Sequence, residues 1–203
     1  MIGAPPMKSR GAATPLVVFQ RLFENEFVTL DGFAISCRVA DGMDYLDESD
    51  ALARMLAEED FDEPRTPSDP SMHALHGAIY ATSPDVEGVV SGWSRHLRAL
   101  MVEGFALPAP TSMMRKRGVA DLRDHLVDPG ALVGSHLDST LSQARDVATR
   151  NRMAHLLLVA TNGMVVVAAP KPEEAMAHWH NVEFSARVEC IRVEEAAVHG
   201  PVG

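Results

Sequence analysis

Two apolar runs of five residues, His155–Val159 and Met164–Ala168, flank the dipeptide Asn162-Gly163. Asn-Gly is a favoured pair for a tight turn between antiparallel strands, because both residues tolerate positive φ. A hairpin is thereby set in the C-terminal third, and the other elements have to be arranged around it. Ala34–Val39 alternates and reads as a further strand, closed by the turn signal Asp41-Gly42. Val86–Val90 is a short additional strand.

Helical segments alternate with these strands. Residues 16–27 place Leu16, Phe19, Phe23 and Phe27 at helical spacing behind Pro15. An acidic helix is expected over about Asp50–Glu59, followed by a Pro-rich connector over 61–70 that reads as a surface loop. Asp69 can cap, and Pro70 can open, a helix reaching about Tyr80 and stopping before Ser83-Pro84. Ser94–Gly104 reads as a helix ending at its glycine, 107–136 as irregular, and Asp138–Thr149 as a helix. The last helix starts after Pro172, with Glu173 and Glu174 favourably placed in its first turn, and reaches Val193. No internal repeat or low-complexity tract interrupts the chain. This irregular alternation around one hairpin implies a single α/β or α+β domain over 15–195, with a flexible leader at 1–14 and a flexible tail at 196–203.

Composition narrows the function classes. A chain of 203 residues buries a core without disulfide or metal staples. Lys and Arg number 18 against 28 Asp and Glu, a net charge of −10. That balance argues against nonspecific nucleic-acid or anionic-membrane binding, which needs clustered cations. No stretch approaches the ~18 consecutive apolar residues of a membrane span, since the longest run, Leu156–Ala169, is broken by Thr161-Asn162-Gly163. The N-terminus has no apolar core followed by a cleavage site. Cys37 and Cys190 make neither a disulfide scaffold nor a metal spacing, so a soluble protein of the reducing cytoplasm is expected.

No phosphate loop, nucleophile elbow, His-Glu-x-x-His or Cys-x-x-Cys is present. Another pattern is. His76-Gly77-Ala78-Ile79-Tyr80, Ser83-Pro84-Asp85-Val86, Val89-Val90, Asn162-Gly163-Met164, Glu174-Ala175 and Glu183 follow one another in an order that resembles the class II aldolase/adducin family from about Phe19 to Val188. The resemblance implies a three-layer α/β/α fold around a central, mainly antiparallel sheet. It also implies a homo-oligomer, usually a tetramer, with active sites at subunit interfaces. Enzymes of the family make or break carbon–carbon bonds, dehydrate or epimerise small phosphorylated sugars. Three histidines hold a divalent metal that polarises the substrate carbonyl, and a glutamate moves the proton.

Set against that pattern, the chemical residues differ. The family's His-x-His is Ser91-Gly92-Trp93 here, Asn162 stands at the third ligand and Met72 at the glutamate. The phosphate-binding Gly-Asn-Ile-Ser becomes Gly32-Phe33-Ala34-Ile35-Ser36, and its supporting residues become Glu48-Ser49-Asp50 and Pro70-Ser71. Ser and Asn are poor zinc ligands, an indole is none, methionine carries no proton, and Asp50 repels a dianion.

Each replacement has two readings. Trp93 is a platform for a ring-shaped ligand or a plug in a vacated cavity. Asn162 donates to a ligand carbonyl or serves as the left-handed residue of its turn. His76 matches a scaffold histidine of the family. His73 lies about 100° round the helix from Met72 and replaces the base only if the register shifts. His96, Arg95 and Arg98 rim a cleft or form a solvated face, and Arg115, Lys116 and Arg117 bind a substrate carboxylate, a neighbouring subunit or water. His178 and His180, two apart, make no metal pair.

The expected pocket therefore comprises Met72, His73, His76, Ser91, Trp93, His96 and Asn162, with Arg95, Arg115 and Arg117 for a carboxylate, no metal and no cofactor. The functional expectation is a metal-independent lyase, isomerase or cyclase acting on a small carbonyl, enol or aromatic acid in a specialised pathway. The other reading is a noncatalytic assembly or binding module like the adducin head.

Overall fold

The Asn162-Gly163 hairpin forms as the sequence dictates, but the left-handed residue is Gly163. In the computed structural model, which describes residues 15–16, 20, 32–51 and 69–199, Gly163 has φ +90° and donates its N–H to the Ala160 carbonyl at 2.8 Å. Asn162 does not take positive φ. Its side-chain oxygen accepts the Met164 N–H at 3.2 Å, tying the turn through the amide.

The strands are β1 (Ala34–Val39), β2 (Gly42–Asp47), β3 (Gly88–Trp93), β4 (Leu126–Val127), β5 (Leu156–Ala160) and β6 (Met164–Ala169). They lie in one sheet in the order β2-β1-β3-β6-β5-β4. Every neighbouring pair is antiparallel except β4–β5. The helices are α1 (Pro70–Thr82), α2 (Arg95–Val102), α3 (Ser112–Lys116), α4 (Leu137–Arg150) and α5 (Pro172–His199).

Side-chain alternation along the strands builds two cores. Ala34, Val89, Leu158 and Val166 face Met72, Leu75 and Ile79 of α1 and Leu141 and Ala144 of α4. Ile35, Val90, Val159 and Val167 face Leu97 and Leu100 of α2, Met114 of α3 and Trp179, Val182 and Ala186 of α5. The three-layer α/β/α arrangement with a mainly antiparallel sheet follows directly: a strand apolar on both faces needs a helix layer on each.

Three expectations are corrected, and one strand is added. β2 forms where the sequence offers no strand reading, because Asp44 and Asp47 interrupt the half-buried Met43 and Tyr45 and the buried Leu46. β3 starts two residues later than expected and runs on through Trp93, so Ser91 and Trp93 are strand residues. The 107–136 stretch carries α3, three 3-10 turns and β4, and α5 continues past Val193 to His199. The helix start at Asp69-Pro70 forms as expected: the Asp69 carboxylate accepts from Ser71 N and Met72 N. Residues 15, 16, 20 and 48–51 are helical. The remainder of the expected 16–27 and 50–59 helices, the connector up to Ser68, the leader and the end of the tail lie outside the described residues. Among the described residues, no helix is long and apolar enough to cross a membrane.

Candidate active site

Alternation along β1 and β3 turns Ser36 and Ser91 toward α1, where His76 stands between them. Its Nδ1 is 2.8 Å from Ser36 Oγ and its Nε2 2.8 Å from Ser91 Oγ. Tyr80, one turn further along α1, donates to the Ser36 carbonyl at 2.9 Å and accepts from Ser36 Oγ at 3.0 Å. With the Ser36 proton committed to Tyr80, His76 carries its proton on Nδ1, and Ser91 donates to Nε2. Burial, aided by nearby His73, lowers the His76 pKa to about 3, so the ring is neutral. His76 thus clamps α1 to two strands, and both its nitrogens and the Ser91 proton are engaged within that clamp.

Trp93 lies at the end of β3 opposite Met164. Its indole is packed against Gly32, whose positive φ (+73°) and missing side chain leave room for the ring. The Arg98 guanidinium covers the indole at 5.5 Å from the ring centre. Arg98 in turn abuts Gly163, where an added Cβ would stand 2.7 Å from the Arg98 Cα, and Ser94 N donates to the Gly163 carbonyl at 2.9 Å. The end of β3 and the Asn162 turn are therefore adjacent, and Met72, Met164 and Trp93 share the core on the α1 face.

Beside Gly32 opens a cleft of about 100 Å³, lined by Tyr45, Met72, Asp47, Glu48 and Asp69 among others. The Tyr45 ring meets His73 edge-on at 5.0 Å and His76 at 5.4 Å. Burial first, then the charges of Asp47, Asp69 and Asp50, push the Tyr45 phenol up from its ordinary value. Glu48 Oε2 accepts from Gly32 N at 2.5 Å and Phe33 N at 3.4 Å, so a carboxylate of the chain itself occupies this pair of backbone donors.

A second polar group sits where β3 gives way to α2. Ser94 caps α2, accepting from Leu97 N at 3.0 Å. Glu183 reaches in from α5, accepting from Ser94 Oγ through one oxygen and lying 2.5 Å from His96 Nδ1 through the other. The Glu183 side chain is 7% exposed and that of His96 is 32% exposed. A carboxylate only accepts, so Nδ1 carries the proton of this contact and the carboxylate orients the partly exposed ring.

The remaining candidates separate. Arg95 is exposed on α2. Arg115 donates to the Pro110 carbonyl at 2.6 Å, and Arg117 lies 2.9 Å from His178 Nε2. Both flank the α5 face of the sheet, opposite Ser91 and Trp93. Tyr45 and Glu48 join the site through β2, the strand that the acidic sequence conceals. The importance of Glu183 is visible in the sequence only through the family pattern.

Donor chemistry tests the metal that such a fold implies. Ser91 gives its proton to His76, the Trp93 indole nitrogen has no free lone pair, and Asn162 Oδ1 is bonded to its own turn. Those three positions do not fit a divalent ion, and among the described residues no group of three His, Cys, Asp or Glu side chains fits one either.

The chain matches the family described as Class II Aldolase and Adducin N-terminal domain over residues 18–190. No curated protein matches it. Among solved structures, an L-fuculose-1-phosphate aldolase from Thermus thermophilus is 16% identical, with a TM-score of 0.58 over 95% of this chain and 98% of that one. YgbL from Escherichia coli, described as a putative aldolase/epimerase/decarboxylase, is also 16% identical, with a TM-score of 0.55 over 87% of this chain and 86% of that one. At such identities the likeness is one of fold; the family match, covering most of the sequence, goes further, and the chain belongs to the class II aldolase and adducin N-terminal domain family.

Proposed function

We propose that the chain is a metal-independent enzyme of the lyase, isomerase or cyclase type, acting on a small carbonyl, enol or aromatic acid in a specialised pathway. The observation that carries this reading is the His96–Glu183 pair: a buried carboxylate holds the Nδ1 of a histidine whose side chain is partly exposed. A histidine oriented in this way accepts a proton from an acidic carbon or hydroxyl and returns it elsewhere, with Glu183 stabilising the imidazolium in between. Arg95 and Arg98 on the same helix supply positive charge for an acid, Arg98 from over the Trp93 indole. His76 takes no part in proton transfer, since both its nitrogens are committed.

Assembly belongs to the same reading. Phe184, Val188 and Ile191 form an apolar row along α5, each nearly half exposed, which supports a homo-oligomer, a tetramer by family resemblance. The cytoplasm is the proposed location. The same row is what favours the second reading, a noncatalytic assembly module.

The test is a panel of small aromatic, keto and enolisable acids, screened by thermal shift and then for turnover in metal-stripped buffer containing a chelator. A stabilising compound is expected to be converted under those conditions. His96→Gln is expected to lower kcat about 10²–10⁴-fold with little change in Tm. Turnover abolished by chelation and restored by zinc would sink the metal-free mechanism. A panel that neither binds nor reacts would favour the assembly module.

A further inference from the structure

On the α5 face, a cluster of titratable side chains lies apart from the proposed site. His155, at the start of β5, stacks on His178 of α5 with ring centres 3.6 Å apart and planes within 19°. The two residues are 4% and 5% exposed. Arg117 Nη1 is 2.9 Å from His178 Nε2. A guanidinium only donates, so that nitrogen carries a lone pair and His178 is neutral. His125, also 4% exposed, completes the group. The Nε2 atoms of His125 and His155 are buried without a hydrogen-bond partner among the described residues.

The charged neighbours come from every side. Arg117 acts on His155 and His178; Asp121 and Asp124 act on His125; Asp85 and Arg145 border the groove that His155 also lines. A proton on either stacked ring would put a cation against its partner and next to Arg117, and among the described residues no carboxylate acts on these two rings to offset it. Burial, then the neighbouring His178, His125 and Arg117, lowers the His155 pKa to about 3. Burial, then Arg117, lowers that of His178 to about 4.

We propose that the His155–His178 stack, closed by Arg117 and His125, is an acid-sensitive latch that holds the N-terminal half of α5 on β5 while its rings are neutral and releases it as they take up protons. Release also withdraws Glu183, five residues further along α5, from Ser94 and His96. The latch itself stands whether or not His96 is catalytic.

The direction follows from linkage. Both folded pKa values lie below the ordinary value of 6.5, so the closed form binds fewer protons than the open one and opening is favoured as pH falls. Between pH 7.5 and 5 each ring multiplies the opening constant roughly thirtyfold, about a thousandfold together.

Hydrogen exchange on the full chain, corrected for intrinsic rates, is the test. Opening in 172–183 and 155–160 is expected to rise about a thousandfold from pH 7.5 to 5, ahead of 70–82 in α1. In His155→Leu/His178→Leu that rise should disappear. Histidine ring resonances in the unaltered chain supply a measurement independent of whether the variant folds: those of His155 and His178 should not titrate above pH 5 in the closed state. A ring that titrates near 6.5 in the folded protein, or α5 opening no more acid-dependent than α1, would overturn the latch.

Discussion

The indole of Trp93 lies so close to Gly32 that a Cβ built on the glycine would stand 2.5 Å from Nε1. One residue lacking a side chain thus makes room for the indole at a position that the family resemblance assigns to a metal ligand. The pair is coupled: the ring can occupy that place only while residue 32 is glycine.

Gly32→Ala should therefore destabilise the fold by roughly 2–4 kcal/mol, combining a left-handed alanine with a displaced indole. Urea denaturation measures the loss, and a red shift of Trp93 emission in a Trp179→Phe background reports the displacement. An unmoved spectrum would mean that the ring does not rest on Gly32.

His76→Leu removes the partner of two buried hydroxyls, Ser36 and Ser91, and is expected to cost about 2–5 kcal/mol. Converting both serines to alanine in the same variant removes the orphaned groups and should restore much of the loss. A triple variant no better than the single one would show that packing, rather than unmet hydrogen bonding, sets the cost.

The same ring gives a pH dependence. Its folded pKa of about 3 lies below the ordinary 6.5, so the native state binds fewer protons in that window. Stability should fall as pH drops from about 6.5 toward 3, by up to roughly 4 kcal/mol from this group. Unfolding free energies measured from pH 7.5 to 4 for the unaltered chain and the triple variant should converge at acid pH, since the variant lacks the group.

Gly88→Ala would bring a Cβ to 2.3 Å from the Pro172 Cα and 2.6 Å from its N, both backbone atoms that no rotamer change can move. The start of α5 would have to lift from β3, at a cost of about 3 kcal/mol. A urea midpoint within error of the unaltered protein would refute that contact.

Much of this architecture is legible in the sequence because local and global signals agree. Ala34–Val39 forms the strand its alternation indicates, Asp69 and Pro70 start their helix, and Asn162-Gly163 closes its hairpin. β2 is hidden because Asp44 and Asp47 break up the apolar pattern of a half-buried strand, and Tyr45 is hidden with it. In the site, only the resemblance to the family brings Ser91, Trp93 and Asn162 into question together, and β3–β6 pairing puts Trp93 opposite Met164, two residues past Asn162. Spacing gives no sign of the Glu183–His96 contact, because the two residues meet only through the packing of α5 on α2. It is equally silent on Arg117, which turns away from the cleft to His178.

Glu48 has a consequence for ligand choice. Because its carboxylate is seated on the Gly32 and Phe33 amides, an incoming phosphoryl group meets a tethered rival of its own charge sign whose local concentration cannot be diluted away. Phosphate esters enter that contest at a disadvantage, while uncharged sugars, ketones and phenols need not enter it at all.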